Sequence, residues 1–455
     1  TSATNSNNTA VGYAAGSALT TAQENTLIGS RAGISITDSN DNVAVGYRAL
    51  ENETRGSRNT AIGHDALGTQ NNTSSTAIYN TAVGHTAGTS ITTGISNNII
   101  GGVAGDALDV GSYNQVLGTA ALTDDTKGSR AVAIGHAALF SQNFTSATDN
   151  YNVAIGHNAG LAVTTGIQNT LIGGLAGDAL TDADLNVAVG LASLSADRKG
   201  NKSTAIGVGA LEVQDFANST DSLNTAVGYK SGTDITTGTS NTATGANSLE
   251  DCTTGGNNVA VGTGAGGVVT TGSDNIAIGR NANFDRVDSS VAYVIGTSVA
   301  SAGTGGIITI GTGSGANRIY NVFMSNATWT RVSDERYKKE ITDNTDCGLD
   351  FINDLKPRTF KWKALSEIDK DLPDYDAKKT TAEHPQKHYG LIAQEVKSAL
   401  DAHNITNFGG HDIIEQSEIQ AVSEEMFVHP LIKAVQELSA QVTALTARIK
   451  TLEGG

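Results

Sequence analysis

Ser333 and Lys338 are the two residues whose types and spacing could do chemistry together. A serine hydroxyl becomes a useful nucleophile when a neighbouring base accepts its proton, and lysine can be that base when burial disfavours its charged form. The residues lie five positions apart in Ser-Asp-Glu-Arg-Tyr-Lys, so one turn could bring them together, and Lys339 is an alternative base. Taken alone, the pair has a plainer interpretation, in which Ser333 caps a helix and the lysine is solvated.

The pair lies where two regions of different composition meet. Residues 1–332 contain 24 acidic and 14 basic residues, and residues 333–455 contain the remaining 22 and 15. Charge is therefore much denser in the second region, which also holds all four prolines. A long first region without proline fits strands in which every N–H joins a ladder.

The composition excludes several classes of function. The net charge is -17, shared as -10 and -7 between the two regions, so neither region has the basic face that nucleic-acid binding requires. No run of about 18 apolar residues is present, so we expect no membrane insertion. Cys252 and Cys347 have no second cysteine or histidine at metal-ligand spacing and are predicted to be isolated thiols. We expect no cofactor and no metal site.

The first region repeats the phrase Asn-x-Ala-Val/Ile-Gly at regular intervals. Three intervals of 17 residues are followed by one of 21, three times over, and then come four more of 17. A longer period of 72 residues is therefore superposed on the short one. Repetition this regular predicts a solenoid. The repeat glycines are at positions 12, 29, 46, 63, 84, 101, 118, 135, 156, 173, 190, 207, 228, 245, 262, 279 and 296.

Each repeat predicts one β coil. A short alternating apolar run, such as Thr60-Ala-Ile62, precedes the glycine, which indicates a strand and a tight turn. We expect the opening asparagine to adopt a left-handed conformation and to bond within its own turn. At about 4.8 Å per layer, 17 or 18 coils would form a rod on the order of 80 to 90 Å long. The small aliphatic residues are too few to close a wide core in one chain, which favours association of chains.

These phrases resemble the Asn-Ser-Val-Ala-Ile-Gly repeats of trimeric autotransporter adhesin heads, and they also resemble repeat regions of phage tail fibres. In the adhesin heads, three chains form parallel β-rolls that pack side by side. The resemblance covers roughly residues 5 to 315. It implies a mainly β fold, a trimeric parallel β-solenoid fibre over residues 1–315, and a junction over residues 316–332.

Two polar features of the array each have two interpretations. The 21-residue intervals contain polar stretches that would stack on one side, as receptor loops or simply as longer solvated turns. Basic residues at the same 72-residue period could bind an anionic glycan or pair with neighbouring acids. The polar stretches are residues 70–75, 140–149 and 216–221, and the basic residues are Arg55, Arg58, Lys127, Arg130, Lys199 and Lys202.

Histidines directly follow four of the repeat glycines. On a threefold axis such a position could present three imidazoles to a metal ion. Tyrosines occupy the same position in other repeats, which favours a structural or solvated role. A Gly-x-Gly-x-x-Gly match beginning at Gly262 arises from the repeat itself and does not predict a nucleotide site. The histidines are His64, His85, His136 and His157, and the tyrosines are Tyr13, Tyr47 and Tyr229.

Three motifs follow one another in the second region. They are Ser-Asp-x-Arg-x-Lys at 333–338, Leu-Lys-Pro-Arg-Thr-Phe-Lys-Trp at 355–362, and His-Tyr-Gly-Leu-Ile-Ala-Gln-Glu-Val at 388–396. This order resembles the C-terminal intramolecular chaperone domain of phage endosialidases, tail spikes and neck appendages. The resemblance implies a small α+β domain over residues 333–430 that helps a trimeric β-fibre assemble. It also implies that the domain then releases itself by cutting the bond between Val332 and Ser333.

The resemblance also implies the roles of the site residues. Ser333 is the nucleophile and Lys338 the base, in a dyad. His388 and Gln394 are the helpers, which polarise the scissile carbonyl or orient water. Asp334 and Arg336 would hold the loop.

The end of the chain predicts a coiled coil over residues 431–455. Apolar residues recur there at alternating spacings of three and four, which is a heptad seam. Val or Ile at one core position with Leu at the other favours two strands, whereas the family resemblance implies a trimer, which we prefer. The seam consists of Val435, Leu438, Val442, Leu445, Ile449 and Leu452.

Together these features predict the distal part of a phage tail fibre or spike in the virion. We expect a homotrimer that binds a bacterial surface glycan or outer-membrane receptor and joins other tail proteins on its N-terminal side. The alternatives are a bacterial trimeric surface adhesin head and a fibre whose tail remains as an uncleaved trimerising cap. A glycan depolymerase would need paired carboxylates, and no pair stands out. The only enzymatic activity we predict is therefore single-turnover self-cleavage.

Overall fold

The computed structural model describes residues 6–301, 303, 305–313, 317–323, 330–331, 333–372, 375–382, 385–414 and 418–454. The chain forms two compact units, Thr1–Tyr337 and Lys338–Gly455. The first unit is the repeat region, and the second is the charged C-terminal region.

The first unit is a β-solenoid in which each repeat contributes one short strand to a single 20-stranded sheet. The strands are β1 (Thr9–Val11), β2 (Thr26–Ile28), β3 (Val43–Val45), β5 (Thr60–Ile62), β7 (Thr81–Val83), β8 (Asn98–Ile100), β9 (Gln115–Leu117), β11 (Val132–Ile134), β13 (Val153–Ile155), β14 (Thr170–Ile172), β15 (Val187–Val189), β17 (Thr204–Ile206), β19 (Thr225–Val227), β20 (Thr242–Thr244), β21 (Val259–Val261), β22 (Ile276–Ile278), β23 (Ala292–Thr297), β24 (Ile307–Thr312), β25 (Arg318–Val322) and β26 (Thr330–Arg331).

Neighbouring coils pair in parallel and in the register of the repeat. In β5 and β7, for example, Thr60 lies opposite Thr81 and Ile62 opposite Val83. Parallel stacking continues to β24, after which β25 and β26 add two antiparallel strands. The prediction of a mainly β, parallel β-solenoid with 17-residue spacing is confirmed. The predicted junction over 316–332 contains the two antiparallel strands.

The solenoid core is narrow and closes within one chain. In the three-residue strands from β2 to β22 the middle residue points inward, and in most coils it is alanine, as at Ala44 and Ala61, which are fully buried. These side chains and others from the turns form one continuous cluster from Ala22 to Ile307. The shortage of apolar residues is therefore met by a thin core, so that shortage is not itself a reason for chains to associate.

The repeat glycines stack directly on one another. Gly101 has φ +144°, and a Cβ there would lie 2.3 Å from the carbonyl oxygen of Gly118 in the next coil. Such a contact with backbone cannot be relieved by a rotamer change. The adjacent Gly102 has nothing within 4 Å of a Cβ. Close approach of consecutive coils thus explains why glycine recurs at this position.

The repeat asparagines have a different role from the predicted one. The residue before each of them takes the left-handed conformation, as at Asp41 with φ +60°. The asparagine itself is buried and bonds to the neighbouring coils. Asn42 donates from its backbone N and its Nδ2 to Asn25 Oδ1, at 3.0 and 3.1 Å, and Nδ2 also donates to the Gly56 carbonyl at 3.2 Å. The expectation that the asparagine itself is left-handed is wrong, because the preceding residue takes that conformation. The expected bond within the same turn does form in some coils, as from Asn42 Nδ2 to Ser39 Oγ at 3.1 Å, beside the bonds to the neighbouring coils.

The 21-residue intervals are ordered coils. Each interval adds a short parallel strand pair next to the ladder and brings a buried glutamine against a buried acid. Of the two interpretations of these stretches, neither included the buried polar pair. The strand pairs are β4 (Gly56–Ser57) with β6 (Thr76–Ala77), β10 (Gly128–Ser129) with β12 (Thr148–Asp149), and β16 (Gly200–Asn201) with β18 (Thr220–Asp221).

The acid and the glutamine occupy one inward-facing position in consecutive coils. Gln142 Nε2 donates to Asp125 Oδ2 at 2.6 Å, and Gln142 Oε1 accepts from Asn152 Nδ2 at 2.8 Å. In four consecutive coils this position carries two aliphatic residues, then an acid, then a glutamine, and this series of four occurs three times. The residues are Leu19, Ile36, Glu53, Gln70, Ile91, Leu108, Asp125, Gln142, Val163, Leu180, Asp197 and Gln214.

Five of the six basic residues of the 72-residue period pair with acids, as one of the two interpretations predicted. All the pairs are at the surface, where an ion pair contributes little to stability. The pairs are Arg55 with Asp38 (3.5 Å), Arg58 with Asp41 (3.5 Å), Arg130 with Asp149 (3.0 Å), Lys199 with Asp182 (3.7 Å) and Lys202 with Asp221 (2.5 Å).

The second unit combines two small sheets with helices around a separate core. A predicted α+β region ending in a long helix is confirmed. Glu437 Oε2, on the long helix, accepts a bond from Leu349 N at the start of the first helix at 2.7 Å. The core includes Phe351, Val396, Leu400 and Phe427. The elements are α1 (Leu349–Asp354), β27 (Arg358–Phe360), β28 (His388–Gly390), α2 (Ala393–Ala402), β29 (His411–Ile414), β30 (Ile419–Val422) and α3 (Val428–Glu453).

Candidate self-cleavage site

Ser333 follows β26 at the end of the first unit, and its side chain is exposed. A short 3-10 helix, Glu335–Tyr337, comes next. Asp334 Oδ1 accepts bonds from the backbone N and the Nε of Arg336, each at 2.9 Å, and Asp334 Oδ2 lies 2.6 Å from Arg336 Nη2. Hydrogen bonding to this guanidinium lowers the pKa of Asp334, so the carboxylate is charged at neutral pH. The pair closes a tight loop directly after Ser333.

Lys338 is the first residue of the second unit, and its side chain is exposed in the single chain. The division between the units falls inside the Ser-Asp-x-Arg-x-Lys motif, so Ser333 and Lys338 belong to different units. Val332, on the other side of the predicted cleavage site, lies outside the described residues. The Ser333–Lys338 dyad therefore stays a prediction from the sequence. A base role would require that Lys338 become desolvated, which a partner chain could provide.

His388 is the first residue of β28, where it lies opposite Phe360 of β27. Its ring stacks on Phe360 with centroids 5.8 Å apart and meets Trp362 edge-on at 6.4 Å. The side chain is half-buried. Two of the three tail motifs thus meet in one antiparallel strand pair, which holds His388 against two aromatic rings.

Gln394 is the second residue of α2, and its side chain is exposed. It lines a groove of about 930 Å³ together with Phe360 and Trp362. His388 and Gln394 are thereby placed around the same pair of aromatic residues. The structure brings these two predicted helpers to one side of the second unit.

Arg358 and Glu395 form a contact that the sequence did not predict. Arg358 Nε lies 2.9 Å from Glu395 Oε2, and Arg358 Nη2 lies 2.5 Å from Glu395 Oε1, in a bidentate pair. Hydrogen bonding to Arg358 lowers the pKa of Glu395. The pair ties β27 to the first turn of α2 and so positions the neighbouring Gln394. Both residues lie inside the motifs at 355–362 and 388–396, and their opposite charges were the sequence signal that could have predicted the pair.

The histidines of the solenoid stack on one another along its surface. His64 and His85 have ring centroids 5.1 Å apart, and His136 and His157 repeat the arrangement at 5.3 Å. Tyr47 extends the first pair, with its centroid 5.1 Å from that of His64. Within the described ranges, no group of three or more His, Cys, Asp or Glu residues is arranged to hold a metal ion.

The two cysteines are free, as predicted, and both are buried. Burial raises the pKa of Cys252 to about 11 and also raises the pKa of Cys347. Both thiols are therefore protonated at neutral pH and are poor nucleophiles. Across the described helices, none has the length and apolar character needed to cross a bilayer.

The fold of the first unit is that of a solenoid fibre segment, and the second unit is a separate α+β region. Residues 333–405 match the family described as chaperone of endosialidase. The predicted resemblance of the tail to an intramolecular chaperone domain is thereby confirmed, and together with the β-solenoid upstream it fits a tail-fibre protein with an endosialidase-type chaperone domain. Among curated proteins, no relative matches the chain.

Proposed function

We propose that this protein is a host-attachment fibre of a phage virion. In this proposal three chains assemble through the tail, and the tail then cuts the chain between Val332 and Ser333. The fibre binds a bacterial surface glycan or outer-membrane receptor and joins other tail proteins on its N-terminal side. The observation that carries the proposal is an uncovered apolar face along the whole solenoid.

This face is formed by the third residues of the three-residue solenoid strands and by Ile295 of β23, which lies opposite Ile278. Their side chains point away from the core and are exposed or half-buried, as at Ile100 and Ile206. From Val11 to Ile295 the row is aliphatic except at Thr244, and at one layer per strand it is on the order of 80 Å long. Continuous exposed apolar patches on soluble proteins mark sites of interaction with other proteins. A second and a third copy of the same face are the partners that match it in length and repeat.

The helix α3 provides a second uncovered apolar surface. The predicted heptad seam from Val435 to Leu452 is exposed along the helix in the single chain. Such a seam is buried when copies of the helix wind around one another. The seam supports self-association of the tail independently of the solenoid.

A tail that associates first has a physical advantage for this fibre. Similar coils in three chains can pair out of register at little cost, and long-range β pairing is slow. A trimeric tail would align the three chain ends before the solenoids pack. Cutting the tail afterwards would block the reverse path and make the assembled fibre kinetically stable.

The proposed cut is an acyl shift followed by hydrolysis. Lys338 accepts the proton of the Ser333 hydroxyl, and Oγ attacks the Val332 carbonyl carbon. The peptide C–N bond breaks as the amine takes up a proton, which leaves an ester on Ser333. Water then hydrolyses the ester, so that one fragment ends in the Val332 carboxylate and the other begins at Ser333. The match to the chaperone family, which begins at Ser333, supports this position of the cut.

The test is intact mass under denaturing conditions, with sedimentation of the native sample. The wild type should give two fragments that meet at Val332 and Ser333, and Ser333→Ala and Lys338→Ala should each give one uncut chain. Lys339→Ala is the matched control and should cut like the wild type. An uncut wild type that sediments as a trimer would reduce the tail to a trimerising cap, and a monomeric wild type would overturn the fibre assembly as well.

A further inference from the structure

A stripe of large side chains lies at one corner of the solenoid. We call it the corner stripe; it consists of the exposed residues that directly precede the ladder position in the coils from Arg58 to Leu223, and it is interrupted at Ser96 and Gln168. A basic residue recurs at this corner every 72 residues, with tyrosine or leucine on both sides of Arg130 and Lys202 and on one side of Arg58. The stripe is Arg58, Tyr79, Tyr113, Arg130, Tyr151, Leu185, Lys202 and Leu223.

The corner stripe places large residues where the backbone disfavours them. Tyr113, Arg130 and Tyr151 have φ values of +63°, +65° and +54°. Asn, Asp and Gly adopt this conformation at least cost, and the same corner does carry Asn257 and Asp274 further along the chain. Elsewhere in the solenoid, large residues in this conformation, such as Leu50 and Leu67, are buried in the core, whereas the corner stripe presents its large side chains at the surface.

The best-developed part of the corner stripe is an arginine between two tyrosines. The guanidinium carbon of Arg130 lies 5.1 Å from the centre of the Tyr113 ring and 5.7 Å from that of Tyr151. Arg130 Nε also pairs with Asp149 Oδ2 at 3.0 Å. Tyr113 and Tyr151 are 47% and 51% exposed, so both rings remain available to a ligand.

The 21-residue coils border this patch with polar groups. Asp149 is the last residue of β12, and Tyr151 follows it by two positions. The stretch before β12 presents Thr145 and Ser146 at the surface. Two aromatic rings, a cation and a carboxylate therefore lie together, and exposed hydroxyls precede the carboxylate in the same coil.

We infer that the corner stripe around Tyr113, Arg130 and Tyr151 is a binding site for a linear glycan, which would give the proposed attachment function its ligand class. The C–H faces of sugar rings stack on tyrosines, and sugar hydroxyls bond to arginine and carboxylate groups. Tyr113 and Tyr151 are two layers apart, about 9.6 Å, so a chain of sugars can reach both. The rings are separated by an ion pair, unlike the continuous apolar face that suits a protein partner.

The charges at the site favour a neutral glycan. Asp149 neutralises Arg130, and residues 1–332 carry 24 acidic against 14 basic residues. A polyanionic glycan would meet a negative field along the fibre, whereas a polymer of neutral hexose or N-acetylhexosamine units would not. The 72-residue period offers two weaker copies of the site along the same line, one with Arg58 beside Tyr79 and one with Lys202 between Leu185 and Leu223.

The test uses the full wild-type chain on immobilised linear oligosaccharides, of neutral hexose and N-acetylhexosamine repeats and of uronic-acid repeats. We expect retention on a neutral member, and at least about tenfold weaker binding by the double variant Tyr113→Ala, Tyr151→Ala. Tyr229→Ala is the matched control, because Tyr229 is equally exposed beside Lys230 in another row, and it should bind like the wild type.

Three results would overturn the inference: no retention on any oligosaccharide, equal retention of the double variant, or a changed sedimentation coefficient of that variant, which would make the stripe a contact between copies. Adsorption to a panel of bacterial cells separates this inference from the attachment function. If the wild-type fibre and the double variant adsorb to cells equally strongly, the proposed attachment function stands and the corner stripe is not its binding site. If the wild-type fibre adsorbs to neither cells nor oligosaccharides, both the attachment function and the glycan site are overturned.

Discussion

Asn97 and Asn114 lie one above the other in adjacent coils and are joined through a single side-chain oxygen. Asn97 Oδ1 accepts the backbone N–H of Asn114 at 3.0 Å and its Nδ2–H at 3.2 Å. Asn97 Nδ2 in turn donates to the Gly111 carbonyl at 3.0 Å. Each such amide satisfies buried backbone groups of its neighbours. Where Ala131 interrupts the ladder, Asn150 Oδ1 accepts the Asn152 N–H instead, at 2.9 Å.

Replacing Asn97 should destabilise the solenoid much more than replacing its neighbour. Asn97→Ala leaves the Asn114 N–H and the Gly111 carbonyl unpaired in the interior, at a cost of roughly 1–3 kcal/mol for each group. Asn98 is exposed, so Asn98→Ala removes a similar side chain at little cost. We expect a clearly lower midpoint of thermal unfolding for Asn97→Ala and a nearly unchanged one for Asn98→Ala. Equal midpoints would contradict a stabilising role of the ladder.

Asp125 should make the stability of the solenoid depend on pH. Its burial raises the pKa of this carboxyl above the value in an unfolded chain. The stability linked to this group is therefore fully present below the unfolded pKa and is lost as the pH rises through the folded pKa. Asp125→Asn is neutral at every pH. We expect the stability of the wild type relative to this variant to fall as the pH rises above about 4, the ordinary pKa of an aspartic acid.

The measurement is the unfolding midpoint of both chains near pH 4 and at pH 7. Asp124 is adjacent and exposed, so Asp124→Asn is the matched control. The midpoint gap between wild type and Asp125→Asn should change with pH, and the gap to Asp124→Asn should stay nearly constant. A constant gap for both variants would show that burial does not favour the protonated form of Asp125.

A charge in the seam of α3 should disturb assembly. Leu445→Asp would bury an unpaired carboxylate between helices, which costs several kcal/mol and should weaken association at least about tenfold. Thr446 is exposed on the next position, and Thr446→Asp carries the same charge outside the seam. In the Ser333→Ala background, which is expected to retain the tail, we expect less trimer by analytical ultracentrifugation for Leu445→Asp alone. Identical sedimentation of the two variants would exclude α3 from assembly.

The β-solenoid could be predicted because its local signals agree with one another. The apolar run before each glycine indicates a strand, and the 17-residue interval sets the register that pairs Thr60 with Thr81. The role of Asn42 could not be predicted in this way, because Asn is common in left-handed turns and in buried ladders alike. The ladder becomes evident only when the coil at Asn25 lies beside it. The thin core could not be predicted for the same reason, because alanine side chains fill a core only when the backbones around them lie close together.

The candidate site was predicted less completely. The motifs identified the region that matches the chaperone family, and two of them do meet in β27 and β28. The contact of His388 with Phe360 depends on the register of an antiparallel pair that brings together residues far apart in the sequence, which spacing alone does not reveal. Assembly of the Ser333–Lys338 dyad depends on the environment of an exposed lysine, and neither the motif nor the single chain supplies that environment.

The inward-facing acids and glutamines make otherwise similar coils chemically different from one another. A chain that skipped one coil while stacking would place Asp125 against Val163 instead of Gln142, and a buried carboxylate without its donor costs several kcal/mol. A skip next to Glu53 or Asp197 would meet the same penalty. Because the pattern repeats only every four coils, a slip by one, two or three coils still mispairs these buried residues. The solenoid thereby discriminates against the misfolded forms that its own repetition makes available.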